Sequence, residues 1–342
     1  MCYAFYKTTK TIIVTTVCGL LLVQFLANGQ DIHYSQFYTD YLRLNPASVG
    51  HFDGDYRVGA NARSQWGSFT VPYQTVSGYA DFGVYNSPAG DRLGLGLRML
   101  YDQAGDGILS TSEFQGAVSF QKALGSKAAL SAGFGAMFTQ KAINWNKLYF
   151  SSQWNENDFN LNAPSGETPI ANSFWHLDLQ AGARLNIRPN EVWNAYISGA
   201  ILHLNKPATS FFNADNQMGI RPLIAAGANF ELGQLSFDPA LCFTTQKKAS
   251  EFLIGSNVSW LLSSTGPKHT IRAHAGAWYR LKDAAVALVG VEYNRYRILF
   301  SCDITLSSLQ PYNKGRGGPE ISIVHVGSFN RQPSKKIYCP RF

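Results

Sequence analysis

Seven histidines, His33, His51, His176, His203, His269, His274 and His325, are the side chains of this 342-residue chain best suited to hold a metal or move a proton. No two stand at the i, i+4 spacing that puts a metal-binding pair on one helix face. Asp102, Asp106 and Gly107 outline part of a calcium loop, but Ala104 occupies a position where a ligand is required, so a glycine-containing turn is expected there. Asn155, Glu156, Asn157 and Asp158 form a second oxygen-rich stretch, expected to be solvated loop. The chain has no G-x-S-x-G elbow, no phosphate-binding loop and no paired-cysteine metal spacing. Enzymatic chemistry would need acid and histidine side chains converging from separate segments. The expectation is a protein that acts by binding, with no cofactor, no metal and no catalytic residues.

Strands are the elements that would position such residues. Hydrophobic residues make up 45% of the chain and charged residues only 15%, against roughly 25% charged in soluble domains. Aromatics reach 13% and there are 31 glycines, which argues against disorder and against a charge-covered soluble enzyme. Residues 1–29 carry Lys7 and Lys10, an apolar stretch at 11–26 and small residues Ala27 and Gly29. This is the layout of a secretory signal peptide, with cleavage expected before Gln30. Beyond it no apolar run is long enough for a membrane-spanning helix. The 29 basic residues less Lys7 and Lys10 leave 27 against 22 acidic, a net charge near +5. That excess is dispersed, so nucleic acid is not an expected partner. Cys242, Cys302 and Cys339 show no disulfide or zinc spacing.

From Asp55 the chain falls into short segments of period-two alternation separated by turn residues. In one of them Leu93, Leu95, Leu97, Met99 and Tyr101 share a face opposite Gly94, Gly96 and Arg98, which places Arg98 inward, where water reaches it. Fourteen such segments begin near residues 55, 74, 92, 109, 128, 173, 191, 221, 235, 251, 270, 284, 296 and 319. Connections after the fourth, sixth, eighth and twelfth are tight, whereas those at 142–172, 204–220 and 307–318 are long. An even strand number with short turns at one end and long loops at the other is the outer-membrane pattern. The predicted fold is all-β: a transmembrane antiparallel barrel of about 14 strands over residues 55–328. A soluble barrel of that size would have a lumen too wide for side chains to fill. Trp175, Trp193, Trp260, Trp278, Tyr279, Tyr293 and Tyr296 are read as interfacial girdles.

The two ends are the most distinctive segments. Residues 30–50 read QDIHYSQFYTDYLRLNPASVG, and the chain closes with KKIYCPRF. Together they resemble the PorP/SprF family of type IX secretion system membrane proteins, which opens with Q-D-x-x-[FY]-S-Q-[FY] and L-N-P-A and often ends in C-P-R-F. Ser35, Gln36, Phe37 and Tyr38 match, then Leu44, Asn45, Pro46 and Ala47, then Cys339, Pro340, Arg341 and Phe342. Tyr56 to Trp66, Tyr73 to Phe82, Tyr101 to Leu124 and the His-Leu-x-x-Pro segment from His203 also match, while residues 144–168 fit only loosely. The resemblance implies a non-enzymatic component of type IX secretion in the outer membrane of a Gram-negative bacterium. Its partners would be periplasmic ring components and a large secreted surface protein or adhesin, in secretion or gliding.

Beside the resemblance, the residues support three expectations. The segment 30–54 carries Tyr34, Phe37, Tyr38, Tyr41 and Leu44, and Pro46 disfavours helix at Asn45. It is expected to pack into the lumen or across the periplasmic mouth with only short helical turns. The tail, 329–342, is a basic and aromatic strip in which Lys335, Lys336, Tyr338, Arg341 and Phe342 are candidates for docking a periplasmic partner. The long loops would carry the cargo face, with Phe150, Trp154, Phe159, Phe211 and Phe212 as anchors. The alternative is a passive outer-membrane porin.

Overall fold

The computed structural model describes residues 31–329 apart from 69, 161, 168, 213–214 and 265–269. The signal peptide expected at 1–29 and the tail residues Lys335, Lys336, Tyr338, Arg341 and Phe342 lie outside the described residues. The unit described below starts at Ile32.

Fourteen strands follow one another: β1 (Tyr56–Gln65), β2 (Tyr73–Asn86), β3 (Arg92–Ala104), β4 (Leu109–Ala123), β5 (Ala128–Ala142), β6 (Ser173–Ile187), β7 (Trp193–Leu202), β8 (Arg221–Leu232), β9 (Leu235–Gln246), β10 (Ala249–Ser264), β11 (Thr270–Arg280), β12 (Ala284–Tyr293), β13 (Tyr296–Thr305) and β14 (Arg316–Gly327). Each pairs antiparallel with its neighbours in sequence, and β1 closes the barrel on β14 from Tyr56↔Gly327 to Arg63↔Glu320. Closure leaves no edge strand, the one way a sheet satisfies its backbone in lipid. Period two then decides which side chains meet lipid. Met99, Phe114, Phe138 and Leu177 are directly opposite one another across β3 to β6 and all point outward, exposed by 40–62%. One residue away, Arg98 and Gln115 face each other inside and are each 1% exposed.

Connections at the end where β1 starts and β14 stops are short. Asn294 and Arg295, both with positive φ, make a two-residue hairpin between β12 and β13, the backbone such turns demand. At the other end lie the long connections 143–172 and 203–220. These are called here the short-turn and long-loop ends; by the asymmetry of outer-membrane barrels the first faces the periplasm.

Two expectations are corrected. Arg98 does point inward, but water does not reach it, because the lumen is filled and its guanidinium pairs with Asp40 and Glu113. Trp278 is not part of a girdle: it is 4% exposed on the inner face of β11 and packs edge-on to Phe37 at 5.5 Å and stacked on Tyr38 at 5.0 Å. Trp175, Trp260, Tyr279, Tyr293 and Tyr296 are outside and exposed.

The outward register makes a direct prediction. Met99→Arg puts a charge on the lipid face and is expected to destabilise the barrel by about 2–4 kcal/mol, read from urea-dependent folding into lipid vesicles; an unchanged stability would contradict the register.

Candidate functional site: the plugged lumen

Residues 32–54 run through the barrel from its long-loop half to its short-turn end. Two three-residue 3-10 turns, Phe37–Thr39 and Pro46–Ser48, flank one four-residue helical turn, Tyr41–Leu44. Asn45 is extended, as a residue before proline prefers, and its Oδ1 accepts from the Ala47 N–H at 2.8 Å to start the second 3-10 turn. So short a helical content leaves most backbone groups of the segment without local partners, and buried groups of this kind must find others.

The barrel wall supplies them. Near the long-loop end, the Glu320 carboxylate of β14 accepts from the backbone N–H groups of Ser35 and Gln36 at 2.8 and 2.9 Å. The Gln36 side chain donates to Ser301 at 2.9 Å and accepts from Ser322 at 2.6 Å. The Ser35 hydroxyl donates to Asp303 at 2.7 Å and is met by Arg63 and Arg280. Midway, Gln115 donates to the Leu42 carbonyl at 2.9 Å, and the Asn45 amide donates to the Ala183 and Gly199 carbonyls at 3.1 and 3.0 Å. Towards the short-turn end, Ser119 donates to the Val49 carbonyl at 2.6 Å and Asp81 accepts from the Gly50 N–H at 2.8 Å.

Charge is compensated in the same places. Arg63 bridges Asp303 and Glu320, both at 2.8 Å, and Arg57 binds Asp81 at 2.8 Å. Arg98 ties Asp40 of the segment to Glu113 at 2.7 and 2.9 Å, and Arg43 of the segment reaches the same Glu113 at 2.9 Å. Side chains here are nearly all buried, so each pair is shielded from screening by salt. His33 lies 3.8 Å from Glu251.

Glycines on the inner faces of β3 and β5 make room for the segment. A Cβ at Gly94 would meet the Val49 carbonyl oxygen, and one at Gly133 would meet the Pro46–Ala47 peptide, both closer than real Cβ atoms approach. These glycines are required by close backbone approach.

Ser35, Gln36, Phe37, Asn45, Pro46 and Ala47 are therefore brought together in one lumenal segment, and all are buried. The five loop aromatics gather into two groups at the long-loop end. Trp145 is stacked near Phe150 at 6.5 Å and meets Phe211 and Phe212 edge-on at 5.9 and 5.5 Å. Trp154 and Phe159 pack at 5.0 Å and pair through their backbones. The Ile170 N–H donates to the Phe211 carbonyl at 2.9 Å, which ties the two loops together. Trp154, Phe159 and Phe212 are 42–49% exposed. Sequence reasoning missed Trp145 and Phe174, which organise the first group, and the exposed Tyr149 and Ile170. Asn155 caps the N–H groups of Asn157 and Asp158, which makes that stretch a local turn. His203, at positive φ, ends β7 and is paired with Asp178.

A closed, lipid-belted barrel of fourteen antiparallel strands with a filled polar lumen defines an outer-membrane β-barrel protein. Within that class, the chain belongs to the family described as type IX secretion system membrane protein PorP/SprF, which matches residues 26–321. No curated protein matches the chain in sequence. Among solved structures it is similar to the Pseudomonas putida toluene transporter TodX, at 11% identity and TM-score 0.49 over 82% of this chain and 90% of that one. It is also similar to a Pseudomonas aeruginosa FadL homologue (11% identity, TM-score 0.47, 82% and 91% covered) and to the KdgM porin (6%, 0.37, 78% and 98%).

With the lumen filled, deleting residues 31–50 is expected to raise single-channel conductance in planar bilayers well above that of the intact chain; equal conductance would contradict the plug.

Proposed function

We propose that this chain is a non-enzymatic binding component of type IX secretion that holds a secreted surface protein at its long-loop end and contacts periplasmic machinery at its short-turn end. The observation that carries the reading is the filled lumen. A barrel whose interior is occupied by its own residues 32–54, hydrogen-bonded from Ser35 to Gly50, is built to present surfaces rather than to pass solutes. The porin alternative requires that whole segment to leave.

At the long-loop end, Trp154, Phe159 and Phe212 stay exposed although each packs against another ring, and Tyr149 and Ile170 beside them are 62% and 68% exposed. Aromatic groups held rigid by ring contacts yet open to solvent are the usual anchors of a protein interface. Phe150 and Phe211 are partly buried and support Trp145 and through it Phe212. The cargo is read as a large secreted surface protein or adhesin. At the other end, Lys335, Lys336, Tyr338, Arg341 and Phe342 follow β14 in sequence and form the proposed contact with ring components, by charge-assisted hydrogen bonds.

Copurification from native membranes followed by mass spectrometry tests both faces. The double variant Trp154→Ala, Phe212→Ala is expected to lose the surface protein and keep periplasmic partners, and truncation after Gln332 to do the reverse. Retention of both partner sets by both variants would overturn the assignment.

A further inference from the structure

Below the plug the lumen widens into a chamber of about 870 Å³ that opens at the short-turn end beside Gly54, Arg295 and Ser328. Its roof is the plug itself, at Tyr38 and Tyr41, and its size falls in the range of ligand sites, roughly 300–1,000 Å³. Nothing in the secretion reading above accounts for it.

One wall carries Arg184 of β6. Its guanidinium lies over the Tyr196 ring at 3.9 Å, and its Nε donates to the Asn186 Oδ1 at 2.8 Å. The stack fixes the plane and the Nε bond fixes the rotation, which leaves the Nη edge towards the chamber, with Nη1 only loosely held by Ser48 at 3.4 Å. Among the described residues Arg184 has no carboxylate within 4.0 Å, unlike Arg57, Arg63, Arg98 and Arg280. Arg272, which also lines the chamber, likewise makes no ion pair among them. The acids inside are engaged: Asp238 by Asn229 at 2.6 Å, and Glu292 by Arg297 at 2.8 Å. Asp53 and Glu231 are exposed at the mouth. His51 shares the Arg184 corner, with its Nδ1 3.5 Å from the Asn186 amide nitrogen.

We propose that this chamber is a receptor for an extended acidic peptide segment of a periplasmic protein, with a carboxylate seated on the Nη edge of Arg184. A planar guanidinium held in this way makes two parallel bonds to a carboxylate. The volume far exceeds one small anion. The Asn229 amide is taken up by Asn194, Ser236 and Asp238, but the Asn194 Oδ1 and Asn257 Nδ2 make no hydrogen bond among the described residues and line the chamber as partners for peptide groups. The proposal rests on the periplasm-facing reading of the short-turn end. The chain's own tail, with Arg331, Lys335, Lys336 and Arg341, has the wrong charge for this corner.

Calorimetric titration of the purified full chain in detergent uses an acetylated, amidated tetraglutamate as probe, with tetralysine and inorganic phosphate as controls. Tetraglutamate is expected to bind, and Arg184→Gln to weaken it by roughly tenfold or more at unchanged melting temperature. Arg184→Lys keeps the charge but loses the fork, and is expected to weaken binding severalfold, which holds the test open should the glutamine variant not fold. Absence of tetraglutamate binding, equal affinity in the variants, or phosphate binding as tightly as peptide would overturn the proposal. Binding that appears only after truncation of residues 330–342 would assign the chamber to the tail instead, and also overturn it. Because only purified chain and peptide are used, failure here leaves the copurification result standing.

Discussion

Glu320 holding the N–H groups of Ser35 and Gln36 is the interaction on which the rest of the interior depends. A segment with almost no helix cannot satisfy its own backbone, and a wide lumen cannot be filled by wall side chains alone. Each solves the other's problem when the wall presents carboxylates, amides and hydroxyls at the positions where the segment needs partners. The cost is a set of buried charges, and these are safe only while paired: removing one member of a buried pair typically costs about 3–5 kcal/mol. Glu113 of the wall, shared between Arg43 of the segment and Arg98 of the wall, binds the two together directly, whereas Arg63 joins Asp303 and Glu320 within the wall and reaches the segment through the Ser35 hydroxyl. Such a network specifies one position for the segment, whereas apolar filling would tolerate several.

Much of the barrel was legible in the sequence because period two recurs along the strands, interrupted only locally, as at Gly83–Tyr85, Leu261–Ser263 and Cys302–Ile304. Fourteen segments were recognisable, and the starts of β7, β10 and β14 differ from expectation by only two or three residues. Aromatics next to a helix-disfavouring proline led to the expectation that residues 30–54 pack either into the lumen or across the periplasmic mouth, and the sequence left those two open. What could not be read was the pairing across the lumen. Ser35 and Glu320 are 285 residues apart, and nothing local links them. For the same reason the glycines at 94 and 133 looked like ordinary inner-face residues, although a close backbone approach requires them. Trp278 was misplaced because aromatic residues near strand ends usually lie in the girdle; its partners, Phe37 and Tyr38, come from a segment that periodicity does not describe. Trp145 was overlooked because a loop's internal packing leaves no periodic signal, and Phe174, the second residue of β6, because its ring partner Phe211 lies in a loop.

A filled lumen also separates the two ends of the molecule. The long-loop end is a rigid floor beneath two aromatic groups, and the short-turn end is an open chamber whose roof is the same segment. Residues 35–50 bond to the wall in both its long-loop and short-turn halves and so join the two ends alongside the strands. The chain belongs to a type IX secretion membrane family, and its barrel carries its own residues 32–54 inside the lumen.

The measurement that tests this most directly is amide hydrogen exchange on the purified, membrane-embedded chain, followed by mass spectrometry. Peptides covering residues 35–50 are expected to exchange as slowly as those from β1 and β14, because Ser35, Gln36 and Gly50 donate their N–H groups to the wall and Thr39, Asn45, Ala47, Ser48 and Val49 donate within the buried segment. Complete exchange of that segment within seconds at neutral pH, with the strands still protected, would contradict a plugged lumen.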